Sequence, residues 1–266
     1  MEKTTKTTVR KSIGSVQRAL DILNLFDKAH VELGNAEIAR MVDLPIGTAS
    51  GLIYTLKINH YLDQNPENRK YRLGLKLAER AAVLLDQLDL RKVSAPLLEE
   101  LRDWCGESVN LAILDGDEVV YIERMFGDHS LGIRSELGRR GTLHSTALGK
   151  AILSYLPDSE RDSLLQNYDF SPVTHFTITD REKFIHELEL THQRGFAIDE
   201  QENELGGRCV GAPILDRQGY PTAAISISVP IQRFPKENVE KFGKKLVSTS
   251  AIISQKMGQS NEHRNS

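Results

Sequence analysis

The sequence predicts an α+β protein of two domains, in which short helices and a hairpin precede a larger domain built on an antiparallel sheet. The chain has 266 residues, which is enough for two domains of about 100 to 200 residues each. In its first quarter, two short amphipathic runs are separated by the helix-breaking tripeptide DLP. Further along, two β-rich hairpins enclose several helical runs, an order typical of α+β domains.

The composition restricts the class of protein. Hydrophobic residues make up 39% of the chain and charged residues 27%, which is ordinary for a globular protein. The N-terminal sequence MEKTTKTTVRK is charged, and no segment approaches the roughly 18 apolar residues of a membrane span. We therefore expect a cytoplasmic protein that has no membrane partner. Cys105 and Cys209 lie far apart without a C-x-x-C motif, so we expect no disulfide framework, no metal and no cofactor.

The changes in pattern along the chain give the expected segments. These are a basic arm over residues 1–14, a first domain over 15–74, a linker helix over 75–90, a second domain over 91–257 and a polar tail over 258–266. The formal net charge is -3, yet basic residues cluster in the arm, which includes Arg10 and Lys11. Lysine and arginine bind phosphates by releasing counterions, so the arm would suit nucleic acid. On its own, a solvated tail without a partner is the simpler explanation.

Three short helices are expected in the first domain. The first would be capped by Ser15 and would bury Val16, Ala19, Leu20, Leu23 and Phe26, which recur at helical spacing. The second would be capped by Asn35, with Glu37 in its first turn. Pro45 suits the first position of the third helix because it has no backbone N–H.

The third helix has two different faces. Its apolar face carries Ala49, Leu52, Ile53 and Leu56, and its other face carries small or hydrogen-bonding residues. Two exposed glycines in a helix cost about 1 kcal/mol each relative to alanine. The close approach of an external partner, such as the major groove of DNA, would account for Gly47 and Gly51. An ordinary helical hairpin that tolerates two glycines remains the alternative.

The segment after the third helix, YLDQNPENRKYRLG, reads as a hairpin around a turn. Three helices followed by a hairpin with basic residues near its tip predict a winged helix-turn-helix domain that binds DNA. A solvated surface hairpin is the alternative. The expected DNA contacts are Arg10, Lys11, Arg18, Thr48, Ser50, Gly51, Tyr54, Lys57, Arg69 and Lys70.

The linker helix should be strongly amphipathic, with an apolar stripe at Leu77, Ala81, Leu84, Leu85 and Leu88. Part of that stripe would serve a homodimer, because two symmetric domains read two half-sites of a palindromic operator. A helix packed wholly within its own chain is the alternative.

The second domain should contain two hairpins, around DGD and DRQG. Helices are expected from Pro96 to near Gly106, near Ala147, Asp158 and Asp180, and from Pro235 onwards. The second hairpin is rich in small residues, and we expect it to leave room for a ligand.

Four segments together resemble the IclR family of bacterial transcription regulators. They are SVQRALDILNLF, AEIARMVDLPIGTASGLIYTL, LHSTALGKAIL and GRCVGAPILDRQGYPTAAISISVP, and the resemblance runs from Ser15 to Met257. It implies a winged helix-turn-helix domain, a linker helix and a C-terminal effector domain of GAF-like α/β fold. It also implies a homodimer formed through the DNA-binding domains, or a tetramer, and RNA polymerase as a partner of any member that activates. One departure is that IGTASGLI lacks the basic or larger residue common after the turn, which shifts the expected contacts towards Tyr54, Lys57, the arm and the wing.

The resemblance also implies an effector site. Leu143, His144, Thr146 and Ala147 would line one side, Asp199, Cys209, Ser226 and Ser228 the other, and Met125 would add an apolar wall. A helix N-terminus beside small residues favours a carboxylate, so we expect a small organic acid as effector; the resemblance further implies a catabolic operon as target. The alternatives are serines on a solvated strand face, a helix-capping His144 and an inert cysteine.

An enzyme is the competing interpretation, with Cys209 as nucleophile, His144 as base and Asp199 as the orienting acid of a small-molecule hydrolase. The sequence has no G-x-S-x-G, H-E-x-x-H, P-loop or Rossmann glycine motif. His186 and His192 are spaced by six residues, which does not place them on one helical face as metal ligands. We therefore expect a regulator and not an enzyme.

Overall fold

The computed structural model describes residues 12–129 and 136–262. The chain divides into two compact units between Gln87 and Leu88. Arg10 and Lys11 lie outside the described residues. Among the helices of the described residues, none is long and apolar enough to cross a membrane.

The first unit is a winged helix-turn-helix domain. It contains α1 (Gly14–Leu23), α2 (Asn35–Met41), α3 (Ile46–Ile58), β1 (Leu62–Gln64), β2 (Tyr71–Leu73) and α4 (Lys76–Asp86). Strands β1 and β2 are antiparallel, and Leu33 pairs with Tyr71 to extend the ladder. The core joins all three helices to the wing through the buried side chains of Ile22, Ile38, Ile53 and Leu62.

The helix caps of this unit differ from the expectation by one or two residues. α1 begins at Gly14 after Ile13, and Ser15 is not its cap. α2 begins at Asn35, and Gly34 precedes it and donates its N–H to Glu37 Oε2 at 2.7 Å. In the first helix Ile22 is fully buried, Ala19 and Leu23 of the predicted face pack on the same core, and Val16 and Leu20 are about half exposed.

The expected linker helix over 75–90 is wrong as a single element. α4 ends at Asp86, and a separate helix, α5 (Asp89–Cys105), begins after Leu88. Pro96 lies inside α5 and does not begin it. A proline inside a helix costs about 3 kcal/mol. The side chains of Leu97, Leu98 and Leu101 are buried in the core of the second unit. Burying each of them contributes about 1.5 to 3 kcal/mol, which offsets the cost of the proline.

The second unit is built on a six-stranded antiparallel sheet with the order β5-β4-β3-β8-β7-β6. Its strands are β3 (Ser108–Asp115), β4 (Glu118–Met125), β5 (Arg140–Thr142), β6 (Ala197–Glu200), β7 (Gly207–Leu215) and β8 (Pro221–Pro230). The hairpins predicted around DGD and DRQG are β3–β4 and β7–β8. The pairing of β3 with β8 joins them into one sheet.

Helices cover both faces of this sheet. α5 and α9 (Val239–Glu262) enclose one hydrophobic cluster with residues such as Leu111 and Ile225. On the other face, α6 (Ala147–Leu153) packs on β7 and β8, and α8 (Arg181–Arg194) packs on α6 and β6; α7 spans Asp158–Leu165. α9 continues to Glu262, so the expected polar tail over 258–266 is helical in its first part.

Candidate functional site

The outer face of α3 is open, as predicted. Thr48, Gly51, Tyr54 and Lys57 are exposed, and Tyr54 keeps 63% of its surface. A Cβ placed on Gly51 would meet no atom within 4 Å. Lys57 Nζ donates to Gln64 Oε1 of the wing at 2.8 Å. This face can therefore be approached closely by an external partner.

Ser50 has a different position from the other predicted contacts. It is only partly exposed, and its hydroxyl donates to the Ile46 carbonyl at 2.6 Å and accepts from the Asn35 amide at 2.8 Å. The second hydrogen bond joins α2 to α3. Ser50 thus holds the angle between the two helices.

The wing presents its basic residues beside acidic ones. Arg69 adopts a φ of 60° at the end of the turn, and Lys70 Nζ lies 3.5 Å from Glu37 Oε2. The amides of Asn65 and Asn68 both donate to Glu32, at 3.0 and 2.7 Å. Arg18 on α1 is exposed. The turn is held by these carboxylate hydrogen bonds, while Lys70 and Arg69 remain at the surface.

In the second unit, six of the nine predicted effector residues converge on one cavity. This polar cavity measures about 20 Å³ and is lined by Tyr121, Arg139, Thr146, Ala147, Leu148, Asp199, Asn203, Cys209, Ser226 and Ser228. Tyr121, Arg139, Leu148 and Asn203 were not predicted. A volume of this size holds about one water molecule, so a larger ligand requires the walls to move.

The floor of the polar cavity is a hydrogen-bonded strand surface. Ser226 and Ser228 alternate along β8, and the amide nitrogen of Asn110 on β3 donates to both hydroxyl oxygens at 3.2 Å. Cys209 on β7 lies directly opposite Ser228. The sequence signal for Asn110 was available, because it is the one amide within the apolar strand sequence SVNLAILD.

Asp199 belongs to a buried group of charges. Its Oδ1 accepts the N–H groups of Glu202 at 2.7 Å and Asn203 at 3.3 Å. Lys150 is fully buried and donates to Glu202 Oε1 at 2.5 Å and to the Ile198 carbonyl. Burial raises the pKa of Asp199 to about 7, although Lys150 acts in the opposite direction. The Lys150 ammonium thus favours the ionised form of both the Asp199 and the Glu202 carboxyl groups. Burial acts against it and raises the pKa of Glu202 as well. Lys150 was missed, although a lysine within ALGKAIL is a visible departure from that run.

Three predicted effector residues lie away from the polar cavity. His144 is buried among Tyr168, Phe170 and Phe184, with Nδ1 3.1 Å from the Tyr168 hydroxyl and Nε2 3.0 Å from the Ser171 carbonyl. Leu143 donates its N–H to the same hydroxyl. Met125 packs on the hydrophobic cluster of α5 and α9. His144 therefore packs in an aromatic pocket outside the polar cavity.

The small residues of β7 and β8 leave less room than expected: Cys209, Ser226 and Ser228 line the small polar cavity, whereas the space at Gly211 is filled. A Cβ on Gly211 would overlap the carbonyl oxygen of Ala147, and one on Gly149 would overlap that of Leu143. Small residues here allow α6 to lie directly on the sheet. α6 has only seven residues, and its Thr146 cap already accepts the Gly149 N–H at 3.0 Å. Its N-terminus is therefore a weaker anion site than the sequence suggested.

The geometry does not form the catalytic group of the competing interpretation. Both nitrogens of His144 have partners outside the polar cavity. Burial, with Asp199 beside it, raises the pKa of the Cys209 thiol well above its usual range, which disfavours the nucleophilic thiolate. No three histidine, cysteine or acidic side chains of the described residues form a metal site. His192 instead contacts the Ser154 carbonyl.

Comparisons with known proteins agree with this architecture. A family model described as IclR helix-turn-helix domain matches residues 15–66. A second model, described as bacterial transcriptional regulator IclR C-terminal, matches residues 82–255. The two models therefore account for both units.

Relatives match over nearly their whole length. The chain is 37% identical to the HTH-type transcriptional regulator XynR of Escherichia coli (strain K12), over 92% of this chain and 98% of the relative. The crystal structure of Thermotoga maritima IclR superposes on this chain with a TM-score of 0.78 at 32% identity, and the match covers 93% of this chain and 100% of the Thermotoga chain. An IclR homolog from Microbacterium hydrocarbonoxydans, complexed with 4-hydroxybenzoate, shares the fold with a TM-score of 0.77 at 23% identity, over 91% of this chain and 98% of that one. The family's members are named as transcriptional regulators and not as enzymes, and this chain, with its DNA-binding and effector domains, belongs to the IclR family of bacterial transcriptional regulators.

Proposed function

We propose that this protein binds a palindromic operator through α3 and the wing, and that a small organic acid in the polar cavity controls this binding in the cytoplasm. The observation that carries the proposal is the convergence of polar side chains from β7, β8, the β6 end and the start of α6 on one small cavity of the effector domain. A catabolic operon is the expected target.

The donors of the polar cavity favour an acceptor-rich ligand. Because the oxygens of Ser226 and Ser228 accept from Asn110, each hydroxyl keeps its hydrogen for donation. The Cys209 thiol and the Asn203 amide add further donor capacity. A carboxylate offers only acceptors and so complements this wall. The same fold holds a carboxylate, 4-hydroxybenzoate, in the Microbacterium homolog.

Exposed apolar side chains on the first unit support a homodimer. Val16 and Leu20 of α1 and Val83 and Leu84 of α4 keep 49 to 60% of their surface, and no residue of α4 is buried. A two-fold dimer would bury such surfaces and place two α3 helices on two half-sites about one helical turn apart. Assembly into a tetramer, and contact with RNA polymerase if the protein activates, are part of the same proposal.

The DNA interface is tested by fluorescence anisotropy on the duplex upstream of the protein's own gene, with a scrambled duplex as reference and with salt titration. Gly51→Ala should raise the thermal stability, since alanine favours an exposed helix by about 1 kcal/mol. The same change should weaken operator binding about tenfold or more, because the new methyl group stands where the groove approaches. Operator affinity equal to that of the wild type would exclude this face of α3 from the interface.

A charge variant gives a second, independent measure. Lys57→Gln should reduce the slope of log affinity against log salt by about 1 if Lys57 contacts a phosphate. Lys244→Gln is the matched control, because Lys244 is an exposed lysine of α9 paired with Glu240. Equal slopes for both variants would contradict the proposed contact.

Effector control is tested with a panel of small carboxylic acids in the same assay. Cys209→Ser should keep operator affinity and change the response to the effective acid, while Cys105→Ser should change neither. The coupling requires the acid to bind the DNA-competent and DNA-incompetent states with different affinity. If no acid changes operator affinity, the sensor function is refuted, and turnover that depends on Cys209 would instead favour the enzyme.

A further inference from the structure

We propose that Arg139 is the residue that selects for negative charge at the polar cavity, so that the cavity admits small anions in preference to neutral molecules of the same size. The proposal rests on the proposed effector function, but its geometry can be tested separately. Arg139 was not among the residues expected to bind the effector, and it is one of the residues that line the cavity.

The pairing of β4 with the segment before β5 explains why Arg139 reaches the cavity. Tyr121 donates its N–H to the Arg139 carbonyl at 3.0 Å, and Gly138 donates to the Tyr121 carbonyl at 2.8 Å. Tyr121 thus bonds to two successive residues, and the register of β4 and β5, in which Val120 pairs with Arg140, continues with Arg139 opposite Tyr121; residues opposite each other on neighbouring strands point to the same face. Both side chains accordingly line the polar cavity.

The next residue along the chain points the other way. Arg140 is the first residue of β5, and successive side chains of a strand alternate between the two faces. Its guanidinium pairs with Asp115 and with Glu118, the latter at 3.1 Å, at the end of the β3–β4 hairpin. The ion pairs found among the described residues include Arg140 twice and do not include Arg139. Arg140 therefore stabilises the hairpin, whereas the charge of Arg139 is available at the cavity.

The other charges at the cavity do not oppose this role. The carboxyl group that lines it is Asp199, whose burial favours the protonated, neutral form near pH 7. Beneath it, Lys150 is paired with Glu202. An arginine is suited to a carboxylate because its planar group can donate two parallel hydrogen bonds. An incoming carboxylate would thus meet Arg139 first and the serine hydroxyls deeper in the cavity.

Alkylation of Cys209 measures the charge preference without knowledge of the effector. Iodoacetate and iodoacetamide have nearly the same size and the same reaction with a thiol, but only iodoacetate carries a negative charge. Cys209 lines the cavity and is partly exposed, and Cys105, the other free cysteine, is an internal reference on α5. Because burial raises the pKa of the Cys209 thiol, rates at both thiols are followed over long incubation at one fixed alkaline pH by mass spectrometry of the digested, full-length protein.

The ratio of the iodoacetate rate to the iodoacetamide rate at Cys209 should fall about three- to tenfold in Arg139→Gln, the effect of removing one unit charge at several ångströms from the reacting group. Arg140→Gln removes the same charge one residue away and should leave the ratio within about twofold of the wild type. The ratio at Cys105 should not change in either variant.

An unchanged ratio in Arg139→Gln, an equal fall in both variants, or no alkylation of Cys209 by either reagent would each overturn the proposal. The outcome is independent of the operator assay. A failure of the wild type to bind any operator would refute the proposed function while leaving the charge preference measurable.

Discussion

Replacing Asp199 with asparagine should stabilise the second unit at neutral pH and should lose that advantage in acid. The reason is that burial raises the pKa of this carboxyl group to about 7 in the folded protein. In the unfolded chain the carboxyl ionises near its ordinary pKa, about 3.9. The protonated form is therefore the one that the fold favours, and ionisation above about pH 4 increasingly stabilises the unfolded state.

The magnitude follows from the difference between the two pKa values. At about 1.4 kcal/mol per pH unit, a rise of roughly three units gives an upper limit of about 4 kcal/mol. The stability that protonation supplies is fully present below about pH 4 and is lost as the pH rises to about 7. The asparagine side chain of the variant does not titrate, so the difference in unfolding free energy between variant and wild type should increase over this range and become constant above it. Any constant offset between asparagine and protonated aspartate cancels in this comparison.

Urea denaturation between about pH 4.5 and about pH 8 measures the effect, because this range begins just above the pKa of roughly 4 in the unfolded chain. The single tryptophan, Trp104, lies on α5 and packs on Phe242 with ring centres 4.9 Å apart, so its fluorescence reports the second unit. Asp162→Asn is a control, because Asp162 is an exposed carboxyl group paired with Arg181. A difference between Asp199→Asn and wild type that stays constant within about 0.5 kcal/mol over the range would show that Lys150 keeps Asp199 ionised, and would refute the reasoning.

Two further predictions concern the packing beneath the polar cavity. Lys150→Met should lower the unfolding free energy by about 3 to 5 kcal/mol, because it leaves Glu202 buried without its partner. Adding Glu202→Gln to this variant should recover part of the loss. If urea denaturation shows that the free-energy changes of the two substitutions simply add, the pairing is contradicted. Gly211→Ala should lower the melting temperature, since the added Cβ overlaps the Ala147 carbonyl. The expected loss in unfolding free energy is about 1 to 3 kcal/mol. A melting temperature equal to or above that of the wild type would contradict the close packing of α6 on β7.

Much of the fold could be predicted because local patterns and tertiary packing agree. The buried face of α3 contains Ala49, Ile53 and Leu56, which the helical period alone identified. Both hairpins of the second unit followed from their turn residues. The single sheet could not be predicted in this way, since the pairing of β3 with β8 joins residues that are more than 100 positions apart.

α1 shows where a correct pattern gives only part of the orientation. Its sequence has apolar residues on two sides; Ala19 and Leu23 of the predicted face pack on the core beside Ile22, while Val16 and Leu20 are exposed. A helix that packs within its own unit and also meets another partner needs two apolar surfaces. The period of the residues cannot tell which surface is internal, and the proposed dimer would explain the exposed one.

Site residues that follow from the alternation of side chains along one strand could be predicted from the sequence. Site residues that depend on the register between strands could not. Ser226 and Ser228 share a face because they are two apart on one strand. Arg139 and Arg140 are adjacent and chemically equal in the sequence, so only the pairing of Arg139 with Tyr121 shows which of them lines the cavity. Lys150 is comparable, because its partner Glu202 lies beyond β6 and is brought to α6 only by the folded sheet.

The glycines show most directly that a small residue in a sequence does not by itself indicate which group packs against it. At Gly51 an added Cβ meets nothing within 4 Å, whereas at Gly211 it meets the backbone of α6. Both positions permit a close approach, but the approaching group at Gly211 is a helix of the same chain and the space is already filled. At Gly51 the helix accepts a cost of about 1 kcal/mol without any internal contact in return. The proposed DNA partner would account for that cost, so the exposed glycine of α3 supports a binding surface in a way that the buried glycine of β7 does not.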